Sequence, residues 1–146
     1  MLRILFLLVP LVAAASALAV PPVNKSFLGD TAVEGYDVVA YFEEGAPREG
    51  SSGFTHRWRD ATWRFASAEN RDRFAADPAR YAPQYGGYCA YAVARGSTAD
   101  IDPQAWKIVD GKLYLNYSKR IQAIWEQDVP GYVAKADANW PALVGE

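Results

Sequence analysis

The sequence predicts an α+β fold: a single small domain with two β-hairpin–helix units packed on an aromatic core. Three observations predict it. Two stretches alternate large and polar residues with a period of two around a short turn. Each stretch is followed by a serine and a helical pattern. The chain carries 5 Trp, 9 Tyr and 6 Phe but only 1 Cys, so stability must come from packing rather than disulfides.

Residues 1–19, "MLRILFLLVPLVAAASALA", place one arginine before an apolar run that closes on Ala17-Leu18-Ala19. That is the layout of a secretory leader cleaved after Ala19, and such a segment should pack on nothing. The run falls short of the ~20 residues a bilayer span needs, and Pro10 interrupts it. The expected product is exported, periplasmic or secreted, with no membrane span after cleavage. Taking Arg3 from 15 basic and 17 acidic residues leaves a formal charge of −3, which gives no footprint for nucleic acid.

Residues 20–32, "VPPVNKSFLGDTA", read as an extended lead-in, and the domain proper is expected over 33–143. "VEGYDVVAYFEEG" (33–45) holds the apolar cluster Val38-Val39-Ala40-Tyr41-Phe42 and reads as a short strand or extended core segment. A Pro, Gly and Ser loop follows at 46–53. "FTHRWRD" sets Phe54, His56 and Trp58 on one face, and "TWRFA" repeats the alternation, which predicts a hairpin turning at Asp60-Ala61. Ser67 is placed to cap the next helix, and Pro78 to end or bend it.

The second half repeats this order. "AWKIVDGKLYLNY" alternates around Asp110-Gly111, a strong two-residue turn signal, and Ser118 caps a helix carrying Ile121, Ile124 and Trp125 on one face. Asp60 answers Asp110 and Phe65 answers Leu115 at a spacing of 50. Ser67, Phe74, Asp77 and Tyr81 answer Ser118, Trp125, Asp128 and Tyr132 at 51. Either an internal duplication or two independent uses of a common unit accounts for this. The tail "YVAKADANWPAL" predicts a final short helix pinned by Trp140.

The stretch "TWRFASAENRDRFAADPARYAPQYGGYCAY", with its aromatic strand, serine, Asp-Pro-x-x-Tyr and Tyr-x-Cys, resembles the YHS domain. "GYDVVAYF" and "WKIVDGKLYLNY" extend the likeness to the exported single-domain YHS proteins of bacteria, over roughly residues 33–143. The resemblance implies a metal-binding module. The metal-linked members, however, carry cysteines where this chain reads Tyr36-Asp37-Val38-Val39 and Phe65-Ala66-Ser67.

The residues themselves name no cofactor. A soft transition metal such as copper, or zinc, takes two to four soft or borderline ligands. The inventory offers Cys89 and the only histidine, His56, with carboxylates such as Asp37, Asp100 and Asp102. The competing reading makes Cys89 a small buried hydrophobe beneath Tyr88 and Tyr91. Tyr85, Tyr88, Tyr91 and Trp106 could line a ligand pocket that Gly86-Gly87 would let a backbone approach; equally, the tyrosines fill core and the glycines shape a turn.

Three functions fit. The leading one is an exported, non-enzymatic YHS-type binding module that contacts a metal ion or small ligand near Cys89, as a monomer or weak homodimer. The second is a thiol-dependent or redox enzyme using Cys89 with His56. The third is a protein-interaction module.

Overall fold

The computed structural model describes residues 18–146, so the predicted leader lies almost entirely outside the described residues. The observed fold is α+β, as predicted. Helices α1 (Val38–Glu43), α2 (Ala68–Ala76), α3 (Pro78–Tyr81), α4 (Ala90–Ala94), α5 (Lys119–Trp125) and α6 (Val129–Val144) surround two separate antiparallel hairpins. The hairpins are β1 (Ser51–Trp58) with β2 (Ala61–Phe65), and β3 (Asp102–Val109) with β4 (Lys112–Asn116).

The two hairpins share one register. Ser51, Thr55, His56, Arg57 and Trp58 face Phe65, Arg64, Trp63, Thr62 and Ala61. Adding 51 to every number in that set reproduces the pairing of β3 with β4, from Asp102 facing Asn116 to Val109 facing Lys112. The break in register falls at the same place in both, between Ser51 and Thr55 and between Asp102 and Trp106. The predicted spacing of 50 is therefore corrected: Phe65 answers Asn116 and Asp60 answers Gly111. The first turn also sits one residue earlier than predicted, on Arg59-Asp60, both left-handed at φ 49° and 57°. Asp110-Gly111 adopts the same conformation at φ 51° and 73°.

The serine caps form as the sequence predicts. Ser67 Oγ accepts from Asn70 N, and Ser118 Oγ accepts from Ile121 N, both at 3.1 Å. Asp77 and Asp128 then take matching backbone angles (φ −153°, ψ 73° and φ −151°, ψ 68°) to start α3 and α6. The two units match in hairpin register, serine cap and the turn after the capped helix, and the second ends in a 16-residue helix where the first ends in a 4-residue one. The tail helix is thus longer than predicted.

Residues 33–45 correct the prediction of a strand. They form a left-handed 3-10 turn, Val33–Gly35, and then α1, capped by Asp37. Val38, Val39, Ala40 and Tyr41 are buried in succession and only Glu43 at the end is exposed, so the sequence lacks the helical period. The lead-in is integral to the core: Val23 and Ala32 are buried, and Thr31 bridges Thr62 of β2. At the centre, Phe74 packs its ring on Trp58, Trp63 and Phe65. Trp63, Phe65, Phe74, Tyr81, Leu115 and Trp125 are buried as predicted, and Trp58 is half-buried.

Candidate functional site

Cys89 stands at the N-cap position of α4 and is 1% exposed. Its backbone N–H donates to Ala99 O at 3.0 Å. Its thiol accepts from Tyr117 N at 3.2 Å and donates to Asn116 Oδ1 at 3.6 Å. Asn116 Oδ1 in turn accepts from Tyr91 N at 3.1 Å, in the first turn of α4. Burial pushes the thiol above its usual pKa, and the backbone N–H groups around it oppose that shift in part.

The first unit shows what this arrangement replaces. Asp37 caps α1 with Oδ1, which accepts from Val39 N and Ala40 N, while Oδ2 accepts from Ala66 N and Asn70 Nδ2. Ala66 and Tyr117, each just before a capping serine, are 51 apart; Asp37 and Cys89 are 52 apart. The left-handed turns that precede them also match at 52, Glu34-Gly35 at φ 58° and 78° against Gly86-Gly87 at 61° and 84°. In the second unit, sulfur and an asparagine oxygen divide the work of one carboxylate.

The surroundings of the thiol do not fit a transition-metal site. His56 lies on β1, opposite Trp63, with its ring against Phe74, and shares no partner with Cys89. Asp37 is buried and committed to its four bonds. Asp100 accepts from Asn24 Nδ2 and Ile101 N, and Asp102 from Gln104 N. Among the described residues, no three His, Cys, Asp or Glu side chains are gathered as ligands.

The four aromatic residues singled out by sequence do not line one cavity: Tyr85, Tyr88 and Tyr91 belong to one hydrophobic cluster, and Trp106 packs in another. Tyr85 is buried and donates its hydroxyl to Asp137 Oδ1 at 2.9 Å. Burial, then the neighbouring carboxylate, pushes its pKa far up. Tyr88 donates to Pro21 O and lies beside Trp140. Tyr91 packs on Tyr132, and Trp106 on Tyr41. The glycine pair admits the protein's own chain: a Cβ at Gly86 would lie 2.0 Å from Pro22 O, and one at Gly87 would strike Val33.

Two cavities stand out among the described residues. The smaller, about 240 Å³, is a shallow apolar depression over Cys89, walled by Tyr91, Tyr117 and Ile121. The larger, about 400 Å³, is a cleft walled by Trp58, Arg59, Trp63, Tyr85, Asp137 and Trp140. The turn of the first hairpin, the 3-10 turn at Gln84–Gly87, α6 and the lead-in at Pro22-Val23 meet to form it. Ligand pockets fall at roughly 300–1,000 Å³ and combine aromatic walls with a few polar groups, which is the composition here. The Arg59 guanidinium carbon lies 4.4 Å from the centre of the Trp58 ring.

Sequence reasoning placed Tyr85 and Gly86 at a ligand pocket but missed the other walls of this cleft. The one signal present was Trp58-Arg59, an aromatic–cation pair at a hairpin tip. Asp137 and Trp140 come from the far end of the chain, and no local pattern links them to it.

Compared with family models, curated proteins and solved structures, the chain matches none.

Proposed function

We propose that the protein is a non-enzymatic binding module of YHS type whose small-molecule ligand occupies the aromatic cleft rather than the neighbourhood of Cys89. The single observation that carries this is the cleft itself: about 400 Å³ of concave space with Trp58, Trp63, Tyr85 and Trp140 in its walls. The thiol is already bonded on both sides by Tyr117 N and Asn116 Oδ1, and its depression offers no second soft donor. The leader-like segment supports export.

Chemical-shift mapping with indole, a neutral aromatic probe, tests the reading. The amide signals of Trp58, Gly86, Asp137 and Trp140 should move with indole concentration. Movement confined to Ala92, Ala99 and Tyr117 would transfer the site to the thiol.

A further inference from the structure

Resting on the cleft reading, we propose that its ligand class is a small zwitterion with an apolar body, such as a free α-amino acid bearing an aromatic or large aliphatic side chain. The cleft carries one cation and one anion. Neither Arg59 nor Asp137 takes part in an ion pair among the described residues, with each other or with any third group. Unpaired opposite charges in the walls of one aromatic cleft are matched by a ligand that brings the complementary pair.

Both charged residues are exposed to solvent, and each is held by one contact. Arg59 sits on the left-handed turn of the first hairpin, and its guanidinium carbon lies over the Trp58 ring. A guanidinium placed over a ring keeps N–H groups with which to grip a carboxylate. Asp137 is fixed by the Tyr85 hydroxyl on Oδ1, and Oδ2 remains to receive an ammonium group. Tyr85 is itself packed against Tyr114 and Trp140. The rings of Trp58, Trp63 and Trp140 supply apolar wall in the same cleft for the side chain of the ligand.

The alternatives leave one charge opposed. A simple organic cation would suit Asp137 and the ring faces but would meet the Arg59 guanidinium. A simple carboxylate or a phosphate would suit Arg59 but meet Asp137.

Calorimetric titration with four probes decides the matter: L-phenylalanine, phenethylamine, 3-phenylpropionate and indole. L-Phenylalanine should bind at least about tenfold more tightly than either singly charged analogue. Arg59→Gln should weaken L-phenylalanine and 3-phenylpropionate while sparing phenethylamine. Asp137→Asn should weaken L-phenylalanine and phenethylamine while sparing 3-phenylpropionate. Retention of indole binding by both variants shows that the cleft is intact in each. If a singly charged analogue matches L-phenylalanine, or neither substitution discriminates, the zwitterion proposal is overturned while indole binding still upholds the cleft. If indole and the charged probes all fail to bind, the cleft reading fails with it.

Discussion

Asp37 and Cys89 hold the same place in the two units of the chain. Each stands at the N-cap position of a short helix after a left-handed turn, and each accepts the N–H of the residue that precedes a capping serine. The carboxylate takes four hydrogen bonds; the sulfur accepts one N–H and leaves the helix cap to Asn116. Asp37→Ala orphans several buried donors, including the Asn70 amide, and should cost about 3–5 kcal/mol. Cys89→Ala orphans Tyr117 N alone and should cost about 1–3 kcal/mol. Urea unfolding of the two variants measures the difference, and an equal loss would break the ranking.

The thiol should behave as a buried group. Labelling of the native protein by a thiol reagent should run at least about tenfold slower than in urea, because thiolate and access are both suppressed. The sign of the pH effect follows from the raised folded value. The folded state keeps the proton to higher pH than the unfolded chain. This stabilisation is therefore complete below the ordinary thiol value of about 8.5 and is lost as pH rises through the higher folded one. Buried tyrosines contribute with the same sign at still higher pH, so the decline between wild type and Cys89→Ala must be compared. The variant should show the smaller loss of urea midpoint above pH 8.5.

Phe74 is the keystone of the first unit. It is 0% exposed, and its ring meets those of Trp58, Trp63 and Phe65. Phe74→Ala should cost about 3–5 kcal/mol through lost transfer energy and the cavity left behind. A loss under about 1 kcal/mol in denaturant titration would show that this cluster does not hold the hairpin on α2.

Gly86 is required by its backbone. It sits at φ 61°, and a Cβ would meet the Pro22 carbonyl. Gly86→Ala should cost about 2 kcal/mol or more from left-handed strain together with displacement of the lead-in. Loss of the bond from Asn24 N to Gly86 O, seen as faster hydrogen exchange at Asn24, should accompany it.

Much of the fold was legible because two of its signals are local. Alternation marks β1–β2 and β3–β4, and Ser67 and Ser118 announce their helices. Helix α1 was illegible because burial of successive residues erases the period that distinguishes helix from strand. The repeat was half visible. Gly35-Tyr36-Asp37 and Gly87-Tyr88-Cys89 lie 52 apart while the hairpins lie 51 apart, because α1 has 6 residues and α4 has 5. That one-residue slip hides the kinship of Asp37 and Cys89 from a fixed-spacing comparison. The cleft was the least legible part, since it joins Trp58-Arg59, Tyr85 and Trp140 across most of the chain.

The most direct test of the account compares indole affinity in wild type, Trp140→Ala and Cys89→Ala, each confirmed folded by circular dichroism. Trp140 walls the cleft and Cys89 does not. The account predicts a loss of about tenfold or more for Trp140→Ala, equivalent to about 1.4 kcal/mol, and less than about twofold for Cys89→Ala. Affinity lost with the thiol and kept without the tryptophan would contradict it.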